Sequence, residues 1–386
     1  MGILLAPHAT AADRWGPGYL IPDGSGVPNA SHIGAYNVPA SQVLAYCADP
    51  ELAGPDAAGG YGSATAVTAW TSKATGKQAS AADLARAAYV LSKYGQTTYD
   101  DQAAAVDAVV YSYLDAGSTY ALPDGKRALE RLSYPNVDPA AKKWAGGYLN
   151  EAAMFAGPYK VAIASADSTL KPGVKTSVTL SVTSASGHAL PGIKLDLDVS
   201  GARAEAGSVT TNADGVATTS ITPSAAGTVD LKALAKSLPA TQLRALAPRN
   251  ATAQRLLLAG GTSAAQAQLE LKAKTPTGAL AVTKTAADTG KTLRGVAFEV
   301  HDSAGKTVTS GTTGANGVWQ AEDLEPGTYT VHEVQAVEGY QLAADQHVTV
   351  TAGKTAAVAV KDVRIPAQPK PKPRPVTISV LPQTGA

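Results

Sequence analysis

From Tyr159 onward helix-like spacing disappears, and the chain alternates apolar and polar residues in short runs closed by Gly, Pro and Asn. Val178-Thr179-Leu180-Ser181-Val182, Ile193-Lys194-Leu195-Asp196-Leu197 and Gly215-Val216-Ala217-Thr218-Thr219 show the pattern. Such alternation puts one face of each strand in a core and the other in water, and turn residues between the runs predict antiparallel β-sandwiches. The pattern continues through a second zone, with runs at Ala279–Lys284, Ala297–His301, Thr328–Val334 and His347–Val350.

Residues 13–158 read differently. Ser80–Lys93 and Asp100–Leu114 are rich in Ala with apolar residues at helical spacing. Ser80 and Asp83 form a capping box for the first, Gly95 a stop, and Asp100-Asp101 suits the N-terminus of the second. Tyr36, Val38, Val43, Ala45 and Cys47 alternate as in a strand. A chain of 386 residues exceeds one ordinary core, so two to four domains are expected. The predicted fold class is multidomain and mainly β: a mixed α/β domain at 13–158, then β-sandwiches at 159–275 and 276–364.

A net charge of +1, with 16% charged residues, argues against nucleic acid or an anionic membrane as partner. Gly 37, Pro 24 and two phenylalanines suit secreted β modules better than a cytosolic enzyme. The one cysteine excludes an internal disulfide and is flagged as a reactive thiol. No segment approaches the ~18 consecutive apolar residues of a membrane span. Residues 1–12, with Ile3-Leu4-Leu5-Ala6 before Ala9-Thr10-Ala11, read as the end of a signal peptide. The Pro366–Pro375 run is basic and proline-rich, an extended spacer in 365–386. No metal-ligand or hydrolase spacing stands out, and neither metal nor cofactor is expected.

Three resemblances add to this reading. Pro191-Gly192, Asn212-Ala213-Asp214-Gly215 and Ala226-Gly227-Thr228 resemble bacterial Ig-like domains of adhesins, with 234–275 continuing the likeness only vaguely. Leu381-Pro382-Gln383-Thr384-Gly385 resembles the motif of sortase substrates. That likeness implies cleavage after Thr384, transfer to a peptidoglycan amine and display on a Gram-positive cell wall. The apolar span and basic tail that continue the family pattern do not follow Gly385, where only Ala386 stands.

The third covers Pro276–Arg364. Ala281-Val282-Thr283-Lys284, Asn316-Gly317, Leu324-Glu325-Pro326-Gly327-Thr328-Tyr329 and Val360-Lys361-Asp362 resemble the SpaA or CnaB-type domains of pilins and adhesins. The resemblance implies an isopeptide bond between Lys284 and Asp362, assisted by Glu333. The chemistry needs all three: an amine attacks only when neutral, which burial favours, and a nearby carboxyl moves the protons. Asp362 stands where Asn is more usual, so water rather than ammonia would leave. The competing reading is a plain Lys284–Glu333 ion pair. In the Ig-like zone Lys175 has no glutamate motif like that at Glu333, and no bond is expected.

Cys47 admits three readings. It is a small buried hydrophobe, or a nucleophile with His32 as base, or half of an internal thioester. Tyr46-Cys47 followed by Asp101-Gln102-Ala103-Ala104-Ala105-Val106 resembles thioester domains of Gram-positive adhesins, with Asp101 and Val106 in place of the usual Thr and Trp. The resemblance implies a Cys47–Gln102 bond, with Gln96 and Gln78 as rival acceptors, that reacts with an amine of a protein on a host or neighbouring cell. Two functions follow as expectations: a covalent adhesin, or a structural wall or pilus component with a non-covalent head. Neither is an enzyme beyond its own intramolecular crosslinks.

Overall fold

The computed structural model describes residues 14–38 and 42–367. They fall into two compact units, one ending at Ala273 and one beginning at Lys274. The architecture is mainly β, as expected.

The first unit begins with a head of four helices on a sheet. Helix α1 is Ala81–Tyr94, α2 Asp100–Leu114, α3 Lys126–Arg131 and α4 Pro139–Phe155. The cap of α1 forms as predicted: the Asp83 N–H donates to Ser80 Oγ at 3.1 Å, and the Ser80 hydroxyl donates to Asp83 Oδ2 at 2.7 Å. Gly95 ends the helix for steric reasons rather than for a left-handed turn, its φ being −70°. A Cβ there would stand 2.5 Å from the Leu91 carbonyl oxygen and 2.9 Å from Ala259 Cβ. From Ala103 to Leu114 every residue of α2 is buried. Its alanines let α1, α4 and the strands Trp15–Ile21 and Ser31–Asn37 close around it. A helix apolar all round belongs inside a core.

The head sheet has six strands in the order Trp15–Ile21, Ser31–Asn37, Leu44–Cys47, Leu256–Leu258, Arg244–Leu246 and Thr65–Ala66. Two of these come from far along the chain, which corrects the expected boundaries. A single sandwich was predicted over 159–275. The sandwich is instead built from two stretches, Lys160–Pro239 and Thr262–Ala273. Strand Gly227–Pro239 pairs antiparallel with Thr262–Ala273, and the chain between them returns to the head. Leu243, Ala245, Leu257 and Ala259 are buried in the head core, which is why this stretch fitted the sandwich pattern poorly. In the sandwich itself the alternation holds: Val178, Leu180 and Val182 are fully buried, with Ile221 beside them in the same sheet and Leu195 and Leu231 in the facing one.

The second unit packs two sheets, Val318–Leu324, Gly278–Ala286, Thr355–Asp362 and Thr307–Thr312, Ala297–His301, Gly327–Gln335, Gln346–Val350. Its first and last strands pair in parallel, from Ala279 opposite Thr355 to Ala286 opposite Asp362. Leu280, Val282, Phe298, Val300 and Val331 fill the space between the sheets.

Candidate functional site

The parallel pairing in the second unit sets the first site. Ala286 stands opposite Asp362, so Lys284, two residues back, lies on the same face. Lys284 Nζ is 2.5 Å from Glu333 Oε2 and in direct contact with Asp362 Oδ1. Lys284 and Asp362 are fully buried and Glu333 nearly so. The Ala343 N–H also donates to Glu333 Oε2, at 3.0 Å, while Glu333 Oε1 and Asp362 Oδ2 have no hydrogen-bond partner. Burial raises the Asp362 carboxyl above its ordinary range, Lys284 pulls it down, and Glu333 pushes it up. The three residues singled out from the sequence thus meet in one dry pocket, over the Phe298 ring at 5.6 Å from Lys284 Nζ. A buried amine in contact with two carboxyl groups is the arrangement a condensation needs, one carboxyl to be attacked and one to move protons. By contrast Lys175 pairs with Glu205 on the surface, where no such pocket exists.

The second site lies in the head. Cys47 is buried at the end of its strand, directly opposite Leu256, within a cluster of Tyr36, Ala45, Tyr111, Leu246 and Leu256. Tyr36 and Tyr111 pack beside it in that cluster. Burial first, then the nearby Asp107, pushes the thiol well above its ordinary pKa, so the sulfur is held protonated. Beyond the paired strands the ladder runs on, with the Ala48 N–H donating to the Arg255 carbonyl at 3.0 Å. The next residue is Gln254. It is buried, its Nε2 donates to the Leu52 carbonyl at 3.0 Å, and its Oε1 has no partner. The Tyr61 hydroxyl holds the Gln254 backbone carbonyl at 2.9 Å. Gln254 lines a cavity of about 510 Å³ with Tyr36, Tyr111, Tyr120, His32 and Arg131. Tyr36 and Tyr111 are the same rings that pack on Cys47.

Gln102, the expected thioester partner, is placed elsewhere. It occupies the first turn of α2, and its Nε2 donates to the Tyr94 carbonyl at 2.9 Å, tying α2 to the end of α1. Tyr111, which does touch the cysteine cluster, is nine residues further along the same helix. That spacing is about 13.5 Å and half a turn away, on the opposite side. The structure does not bring Cys47 and Gln102 together. Gln96 is also committed, accepting from the Leu44 N–H and donating to the Gln42 carbonyl, both at 3.0 Å. Sequence reasoning passed over Gln254. The available signal was an amide just ahead of Leu256-Leu257-Leu258, in the stretch that matched the sandwich least.

His32 does not serve as a base for Cys47. Burial, with Arg131 adding to it, pushes the imidazole down to about 3. Its ring packs at a tilt against Trp15 and edge-on against Tyr36, at 4.8 and 5.3 Å between centroids. Arg131 pairs with Asp107 at 2.9 Å, both buried, and donates to the His32 carbonyl. Burial pushes Asp107 up to about 7 against the pull of Arg131.

The sorting residues Leu381 to Gly385, and the leader, lie outside the described residues. Among the described residues no three His, Cys, Asp or Glu side chains are grouped to hold a metal, and no helix is long and apolar enough to cross a membrane.

Residues 278–364 match the SpaA family, described as a prealbumin-like fold domain. No curated protein is significantly similar to the chain. Among solved structures, the Bacillus anthracis TIE protein is similar over 84% of this chain and 60% of its own, with 17% identity and a TM-score of 0.51. The chain therefore spans 60% of that protein's length, and the likeness is one of fold. GBS52, the minor pilin of Streptococcus agalactiae, aligns over 48% of this chain and 88% of its own, with 18% identity and a TM-score of 0.24. BcpA, the major pilin subunit of Bacillus cereus, aligns over 53% and 71%, with 13% identity and a TM-score of 0.26.

Proposed function

We propose that this chain is a Gram-positive surface adhesin whose head captures amines covalently through a Cys47–Gln254 thioester. A Lys284–Asp362 isopeptide bond reinforces the stalk behind it. The observation that carries the reading is that Cys47 stands opposite Leu256 and packs on Tyr36 and Tyr111, while Gln254, two residues before Leu256, lines a cavity with the same two tyrosines. Bond formation balances simply. Cys47 Sγ attacks the Gln254 side-chain carbonyl, the C–N bond breaks, and ammonia leaves with the thiol proton. The product is an activated acyl group in a buried site, shielded from hydrolysis. An amine then forms an amide with Gln254 and the sulfur departs as a thiol. In the stalk, Lys284 Nζ attacks the protonated Asp362 carboxyl and water leaves, with Glu333 moving the protons.

Sortase and peptidoglycan are the partners read from Leu381, Pro382, Gln383, Thr384 and Gly385, and wall display at the cell surface is the corresponding location. The captured partner is an amine-bearing protein on a host or neighbouring cell. The match of residues 278–364 to SpaA also favours a second reading, a pilus or wall component whose head binds without a covalent bond. Intact-mass measurement with and without methylamine separates the two. The adhesin is one ammonia and one water lighter than its sequence, and methylamine adds to it and frees one thiol. A chain with no ammonia deficit and no adduct is the structural component.

A further inference from the structure

The cavity that reaches Gln254 does not stand alone. A second, of about 400 Å³, runs along Tyr61, Leu246 and Leu256. The two share four lining residues, Arg14, Tyr36, Pro55 and Asp56. Arg14 and Asp56, from segments 42 residues apart, form an ion pair and line both cavities. Their backbones are held: the Arg14 carbonyl accepts from the Asn37 N–H at 2.8 Å, and the Ala57 carbonyl beside Asp56 accepts from Asn250 Nδ2 at 2.9 Å. Their side chains are not held equally. The Asp56 side chain is 55% exposed and the Arg14 side chain 29%, with the guanidinium over the Trp15 ring at 4.6 Å. Arg14 Nε is buried without a partner.

A pair this exposed is weak and exchanges readily with another cation. The cation that must enter this cavity for amine capture is a protonated alkylamine, which has the same charge sign as Arg14 and a slimmer head. A carboxylate at the mouth attracts that cation, and the resident guanidinium competes with it. The neighbouring tyrosine faces of Tyr36, Tyr111 and Tyr120 suit the apolar stem and the ammonium alike.

We infer that Asp56 is the docking carboxylate for a lysine side chain of the captured protein, and that Arg14 occupies it until that lysine displaces it. The inference rests on the Cys47–Gln254 reading. The ammonium exchanges with Arg14 on Asp56 and gives one proton to water at the mouth. The neutral amine then attacks the Gln254 acyl carbon, the C–S bond breaks, and the amine's second proton goes to the Cys47 sulfur. Only side chains need to rotate, since both backbones stay in place.

Two nucleophiles test this on the full chain, by the rate of adduct formation in intact-mass spectra. One is Nα-acetyl-lysine amide, cationic at neutral pH; the other is hydroxylamine, which is uncharged there. Arg14→Gln speeds uptake of both, roughly two- to fivefold, the range set by an exposed ion pair. Asp56→Asn has opposite effects: it slows the lysine derivative and speeds hydroxylamine, because Arg14 has lost its partner. Asp56→Asn that changes both rates in the same direction, or Arg14→Gln that changes neither, overturns the inference while leaving the thioester intact. A wild-type chain with no ammonia deficit and no adduct from either nucleophile removes the thioester and this inference together.

Discussion

Asp49 and Arg255, 206 residues apart in the chain, form a two-pronged ion pair in the head: Arg255 Nε to Asp49 Oδ2 at 2.8 Å and Nη2 to Asp49 Oδ1 at 2.5 Å. The Arg255 N–H adds a third bond to Asp49 Oδ2 at 3.0 Å, and its guanidinium lies 3.4 Å from the Trp70 ring centroid. Asp49 follows Cys47 by two residues and Arg255 follows Gln254 by one. The clamp thus fixes the register of the segment after Cys47 against the stretch that carries Gln254.

Arg255→Ala leaves the Asp49 carboxylate buried and unpaired, which costs about 3–5 kcal/mol. Thermal melting should show that loss in the head transition, and the ammonia deficit should fall with it. Unchanged melting would mean that the register is held by the strands alone.

Gln254→Ala and Gln102→Ala are expected to differ in kind. The first removes the acyl group, so the chain keeps its full ammonia complement at the head and takes up no methylamine. The second loses one hydrogen bond between helices, worth about 1 kcal/mol, and still reacts. The reverse pattern would restore Gln102 as the thioester partner.

In the second unit, Glu333→Gln keeps the shape of the pocket and removes the proton carrier. Its product should show no water deficit against its own sequence mass, whereas the wild-type chain shows one. Lys284→Ala should lose the same water deficit and melt lower, since closing the 78-residue loop between Lys284 and Asp362 contributes roughly 4 kcal/mol. A wild-type mass equal to the sequence mass would leave Lys284 in an ion pair only.

Asp115 supplies a pH test. It is fully buried at the end of α2, and burial pushes its carboxyl from 3.8 up to about 6. Below about pH 4 the group is neutral in both folded and unfolded chains and costs nothing. Between about 4 and 6 the unfolded chain ionises first, so stability falls as pH rises, and above that range the loss is complete. Asp115→Asn should match the wild type near pH 4 and exceed it by roughly 2–3 kcal/mol at pH 7. Denaturation curves that stay parallel across this range would exclude Asp115 as the cause.

Local features were readable because local physics decides them. The cap of α1 needed only Ser80 and Asp83, the extent of α2 only its Ala-rich spacing, and the sandwich strands only the alternation at Val178, Leu180 and Val182. Lys284, Glu333 and Asp362 were legible through the resemblance of Pro276–Arg364 to SpaA or CnaB-type domains, not through periodicity alone. The course of residues 240–261 was not. Arg244–Leu246 and Leu256–Leu258 are three residues each, too short for periodicity to distinguish one sheet from another.

The sequence by itself determined the mainly β architecture, the helical head, the Lys284–Glu333–Asp362 pocket and the single thiol available for chemistry. Only the tertiary structure decided which amide lies beside the strand that carries that thiol. Gln102 is near Cys47 in sequence, yet the rigid geometry of α2 carries it to the far side from Tyr111. Gln254 is distant in sequence, yet burying Leu256 and Leu257 brings the strand that follows it beside Cys47. Pairing across an inserted domain is set by where apolar surface can be buried, and no local pattern records that.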